Sequence, residues 1–187
     1  MKITGGYYKK EDIAGFVEKS SPENSYKFTT INFSEEAGWV NIALKKNDKE
    51  IHIKYSSVMT DTADLFQFLA DVVDLNEDVA LILDNEGSNP LLYAKKINGE
   101  IIRFLFASDY NLYKSFCNDE IDDYILLDYK IEFDILINKK LLLEEFYKIL
   151  SSYITDYNYN DADRYGVEFD IQKGKKYFNT IKSYLKK

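Results

Sequence analysis

From Trp39 to Tyr55 every second residue of the chain is apolar, and the pattern breaks only at the polar residues Lys46, Asn47, Asp48 and Lys49. Val40, Ile42 and Leu44 fall on one face, with Trp39 opposite them; Ile51, Ile53 and Tyr55 share a face, opposite Glu50, His52 and Lys54. Period two with one polar side marks a sheet that meets water on one face. A turn this short cannot carry a parallel crossover, so the two strands form an antiparallel hairpin. Residues 26–33 alternate in the same way and predict a third strand before them.

Helical stripes separate the strand blocks. Ile13, Phe16 and Val17 predict a short N-terminal helix, closed by the polar loop around Pro22. Over residues 62–75, Leu65, Phe66, Leu69, Val72 and Val73 make one continuous apolar stripe. Asp61 before it can accept from the free amides of the first turn. Strands are then predicted at 79–83, 91–97 and 100–107, the last two joined by Asn98-Gly99, whose tolerance of positive φ suits a tight hairpin. A long alternating stretch at 124–137 places Ile125, Leu127, Tyr129, Ile131, Phe133, Ile135 and Ile137 on one face and Asp128, Lys130, Glu132 and Asp134 on the other. Asn138 caps a helix with Leu142, Phe146, Ile149, Leu150 and Tyr153 on one stripe. A strand at 167–171 and a final helix bearing Tyr177, Phe178, Ile181, Tyr184 and Leu185 complete the order. The expected fold is α+β: a single domain over residues 1–187, with a largely antiparallel twisted sheet of six to eight strands and three to four packed helices. At 187 residues folding removes roughly 70% of the unfolded chain's surface from water, enough for one core without staples.

Little catalytic chemistry stands out. His52 is the sole histidine and alternates with Glu50 and Lys54 on a polar strand face, so any Ser-His or Cys-His pair would depend on a surface residue. Cys117 is the sole cysteine, which excludes an intrachain disulfide. The eight glycines form no phosphate-binding loop. Asp156, Asn158 and Asn160 begin like a calcium loop. Position six is Asp161 instead of glycine and position twelve is Val167 instead of glutamate, so no metal site is assigned there. No cofactor is implied. No apolar run approaches the roughly 20 residues of a membrane span, and the first 15 residues show no apolar core of a secretory leader, so a cytoplasmic protein is the default expectation.

Charge carries the functional signal. The net charge is −8, but residues 109–134 hold eight acids against two bases, while the last 15 residues hold six lysines and no acid. An acidic surface steers cationic partners and speeds their association. The candidate contact residues are Asp128, Glu132 and Asp134, projecting from one sheet face, with Asp122 and Asp123 just before them. Like charges along a strand are costly unless solvated or matched by a partner. Direct nucleic-acid binding is disfavoured, because only the C-terminal lysines offer a basic patch.

The one-sided hairpins around Trp39, the helix at 64–75, the turn Asp84-Asn85-Glu86-Gly87 and the passage from the strand at 131–137 into the helix at 141–153 together resemble the small acidic immunity proteins that accompany bacterial polymorphic or contact-dependent toxins. The resemblance implies a non-enzymatic cytoplasmic inhibitor that binds one cognate, basic toxin. It carries over no functional residue by position. Two other readings stand beside it: a metal-dependent hydrolase using Asp119, Glu120, Asp122 and Asp123, and an accessory or scaffold subunit without catalysis.

Overall fold

The computed structural model describes residues 1–5, 10–24, 27–85, 89–109, 129–156 and 170–187. In chain order these carry β1 (Lys2–Thr4), α1 (Lys10–Glu18), β2 (Glu23–Asn24), β3 (Phe28–Glu36), β4 (Trp39–Lys46), β5 (Lys49–Ser56), α2 (Thr62–Val73), β6 (Val79–Ile82), β7 (Leu91–Asn98), β8 (Ile101–Asp109), β9 (Tyr129–Asn138), α3 (Lys139–Asp156) and α4 (Ile171–Leu185). The fold is α+β, as the patterning requires. Its strands divide between two sheets, a six-stranded one in the order β1-β6-β7-β8-β9-β2 and a three-stranded one in the order β3-β4-β5. Interior pairings are antiparallel, whereas the short edge strands β1 and β2 join β6 and β9 in parallel.

The three-stranded sheet folds as its alternation dictates. Val40, Ile42, Leu44, Ile51, Ile53 and Tyr55 are all buried. Two turns with positive φ close its hairpins: Ala37 (51°) and Gly38 (82°) between β3 and β4, and Asn47 (54°) between β4 and β5. Asn and Gly reach this region at low steric cost, and turns of this hand match the twist of the flanking strands. Helix α2 starts where the sequence places it, with the Asp61 carboxylate accepting from the Ala63 amide at 2.8 Å. Leu65, Phe66, Phe68, Leu69 and Val72 are buried along it, each such side chain worth roughly 1.5–3 kcal/mol of transfer free energy. Asn138 accepts from the Leu141 amide at 3.2 Å and opens α3.

The main core lies between the inner face of the three-stranded sheet, helices α2, α3 and α4, and one face of the six-stranded sheet. Its centre is aromatic: Phe28 meets Phe104 edge to face at 6.0 Å, and Phe104 lies 5.3 Å from Phe133. A second, smaller cluster sits on the opposite face of the large sheet, where Ile13 and Val17 of α1 cover Ala80, Ile82, Leu91, Tyr93, Leu105 and Ala107.

Two expectations are corrected. Residues 167–169 of the strand expected at 167–171 lie outside the described residues, and Ile171 is the first residue of α4, because Asp170 caps that helix through the Lys173 amide at 2.9 Å. The alternation through β9 does not keep one face. Phe106 pairs with Phe133 and Ala107 with Ile131, so Glu132 is skipped in a β-bulge. Phe133, Ile135 and Ile137 therefore enter the main core, while Ile131 packs with the α1 cluster. The strand begins at Tyr129; residues 124–128 lie outside the described residues.

Candidate functional site

Of the acidic residues proposed from sequence, Glu132 and Asp134 are among the described residues, and they do not share one solvent-facing surface. Asp134 pairs across β8 with Leu105 on the side covered by α1, and is 6% exposed. Its carboxylate accepts from Arg103 Nε at 2.9 Å and Nη2 at 2.6 Å, and from Ser20 Oγ at 2.7 Å. Arg103 Nη2 also donates to the carbonyl of Val17 at 2.8 Å, near the C-terminal end of α1. A cation there complements the negative end of the helix. Asp134 is thus a buried anchor for α1 and not a solvent-facing carboxylate.

Glu132 is half-buried at the rim. Its carboxylate accepts from Ser108 Oγ at 2.9 Å and lies 2.9 Å from Lys130 and 3.7 Å from Lys49 of the three-stranded sheet. Partial burial pushes its carboxyl up, but those hydrogen bonds and the two ammonium groups outweigh it and hold the group below the usual glutamate range. Asp122, Asp123 and Asp128 lie outside the described residues, as do Cys117, the Asp119–Asp123 cluster and the loop following Asp156. Among the described residues, no group of three or more His, Cys, Asp or Glu side chains could hold a metal ion.

The outer face of the three-stranded sheet remains exposed to water. Its cross-strand rows run Glu36–Trp39–Ser56, Ser34–Asn41–Lys54 and Asn32–Ala43–His52, of which Ser56 and Ala43 are buried. His52 spans this face, with Nδ1 3.1 Å from Asn41 Oδ1 and Nε2 3.1 Å from Glu50. At one end the polar surface gives way to an apolar patch: Trp39 is 42% exposed, Val58 50% and Met59 60%. Register places Trp39 beside Ser56, and the Ser57 amide donates to the Gly38 carbonyl at 2.8 Å, so the turn carrying Val58 and Met59 closes against the β3–β4 turn. That turn is held from the other side as well: Thr60 N donates to Ser56 O at 3.0 Å, Ser56 N to Asp84 O at 2.8 Å, and Asp84 N to Thr60 Oγ1 at 2.8 Å. The patch is therefore presented on fixed backbone. Around it stand the carboxylates of exposed Glu36 and of half-buried Asp61 and Asp84, with exposed Lys54 and, acting on Asp61, half-buried Lys173 as bases among the described residues.

Beneath this patch lies a buried hydroxyl cluster. Tyr153 donates to Glu35 Oε2 at 2.6 Å, and Tyr55 to Thr62 Oγ1 at 3.3 Å. Burial pushes both phenols far above their ordinary range, and the Glu35 charge adds to it for Tyr153. Held protonated, they tie β3, β5, α2 and α3 together and are poor bases or nucleophiles near neutral pH.

Sequence reasoning placed Trp39 on the polar side but not Val58 and Met59 beside it; the Trp39–Ser56 register links them, and the turn length 46–49 was the signal for that register. The burial of Asp134 also had a signal: Arg103 is the one charged residue inside the apolar run 101–107, and a cation there needs an acidic partner. No protein-family model, curated protein or solved structure matches the chain.

Proposed function

We propose that this chain acts by binding another protein, as an immunity-type inhibitor of one cognate toxin, and that the contact is centred on Trp39, Val58 and Met59. The observation that carries this reading is the exposure of the sole tryptophan together with Val58 and Met59 on fixed turns at the rim of a water-exposed sheet face. Exposed apolar groups rimmed by polar ones are characteristic of protein–protein contacts. Tryptophan is strongly enriched among the residues that dominate binding energy, and methionine adapts its shape to a partner. The acidic rim of Glu36, Asp61 and Asp84 favours a partner with basic groups around an apolar anchor, which agrees with a basic toxin. The acidic contact expected from sequence then rests on this rim and on Asp122, Asp123 and Asp128, with Glu132 at the edge of the sheet.

The test is a tagged capture from the native host, with wild type beside W39A/M59S, each at low and high salt. The expected result is one basic protein, retained by wild type and lost by the double variant, whose toxicity the purified wild-type chain abolishes. Capture unaffected by W39A/M59S, or a captured protein whose activity the chain leaves untouched, overturns the proposal.

A further inference from the structure

A second surface, on α4, has the opposite charge. Exposed Lys175 and Lys182 fall on one stripe of the helix, continued by its C-cap residue Lys186; exposed Lys176 falls on a neighbouring stripe, and exposed Lys187 follows the cap. From Lys175 to the cap residue Lys186 is eleven residues, about 16 Å at helical rise. None of the five makes an ion pair among the described residues. Lys173, by contrast, is held by Asp64 at 2.6 Å.

The helix cannot turn this face elsewhere. Phe178 and Ile181 are buried in the main core, Phe178 stacks on Tyr147 at 4.8 Å, and Asp170 fixes the first turn. Beside the second stripe runs a groove of about 600 Å³ between α4 and the end of α2, lined by Lys176, Asn179, Ser183, Tyr184 and Lys187 on one side and by Val73 and Asp74 on the other. Its acids are Asp74 and nearby Glu100, the latter engaged by the Tyr184 hydroxyl at 2.6 Å and facing Lys139 at 3.8 Å.

We infer that this groove and the lysine stripes bind the backbone of a single-stranded nucleic acid. The expectation against nucleic acid rested on the lack of any basic patch beyond the C-terminal lysines; α4 gathers those lysines on one outward face. A groove lined by lysines and side-chain hydrogen-bond donors is the chemistry that tracks a nucleic-acid backbone, and the Tyr184 ring at its wall is itself covered by Lys139 Nζ at 4.9 Å. The apolar side of α4 is spent on the core, which leaves nothing on the exposed side to enter a bilayer. At physiological salt charges beyond about 8 Å are screened, so the acids that oppose a docked phosphate are Asp74 in the groove and Glu100 beside it, against the lysines of the two stripes.

The test is fluorescence anisotropy with end-labelled ten-nucleotide oligo(dT) and oligo(U) from 50 to 200 mM KCl. Five phosphate contacts predict a log–log salt slope near −3.5 and about a 100-fold loss of affinity across that range. K175Q/K182Q/K186Q should reduce the slope to about −1.4. Its far-ultraviolet circular dichroism should match wild type, since all three side chains are exposed. A slope unchanged by the triple substitution overturns the inference. So does no binding at 50 mM, tighter binding of a ten-base-pair duplex, or equal competition by an acidic peptide of the same charge.

Discussion

Replacing Asp134 by alanine should destabilise the fold sharply, and the structure fixes the scale. The Arg103 and Asp134 side chains are 11% and 5% exposed and meet through two nitrogens and two oxygens. Hydrogen bonding to Asp134 raises the guanidinium further above its ordinary range, against the opposing effect of burial. Removing the carboxylate leaves a buried cation uncompensated, which costs roughly 3–5 kcal/mol. Arg103 keeps its bonds to Val17 O, Ser20 O and Ser20 Oγ, so the expected loss lies near the lower end, about 3 kcal/mol. With a urea m-value of about 2 kcal/mol/M, that is a midpoint shift of roughly 1.5 M. The double variant R103M/D134L removes both charges and fills their volume with apolar atoms, and should return to within about 1 kcal/mol of wild type. Equilibrium urea unfolding followed by circular dichroism reads all three. A D134A loss under about 1 kcal/mol, or a double variant as weak as D134A, would refute the reasoning.

Glu132→Gln should lower stability at pH 7 by about 1 kcal/mol. The depressed carboxyl of Glu132 contributes stability that is fully present above the ordinary glutamate value near 4.5 and is lost as pH falls through the folded value, so the variant should flatten acid unfolding below about pH 4.5. At high pH the sign comes from Tyr55, Tyr93 and Tyr153, whose phenols are all raised by burial: the unfolded chain ionises near pH 10 and the folded one resists, so stability should fall as pH rises above about 10. Absorbance at 295 nm should show these three phenols titrating only as the chain unfolds. Gly5 sits at φ 72°, and a Cβ there would come within 2.3 Å of the Ile82 carbonyl oxygen; Gly5→Ala should cost at least about 1–2 kcal/mol and weaken the β1–β6 pairing, readable by amide exchange at Val79–Ile82.

The elements legible in the sequence are those whose signal is local. The stripe of Leu65, Phe66, Leu69 and Val72, the Asp61 and Asn138 caps and the β4–β5 hairpin all follow from residues within one or two turns of each other. What escaped depends on distant partners. Strands β1 and β2 span three and two residues, too few for a period to show, and exist because β6 and β9 offer them an edge. Nothing in an alternating run tells which sheet it joins, so the division into two sheets was invisible. The bulge at Glu132 moved Ile131 to the other face from Phe133, although the sequence alternates without interruption. That one inserted residue also separated Glu132 from Asp134, which turns into the α1 side and pairs with Arg103. The apolar patch combines Trp39 with two residues of a later turn, which only cross-strand register could bring together.

The claim that binding centres on Trp39 is tested most directly by labelling the chain with 5-fluorotryptophan. One tryptophan gives one fluorine resonance. On titration with the captured partner, that resonance should shift and broaden in step with complex formation, and W39F should bind at least 30-fold more weakly, about 2 kcal/mol. A complex that forms while the resonance stays at its free position would place the interface elsewhere and contradict the account.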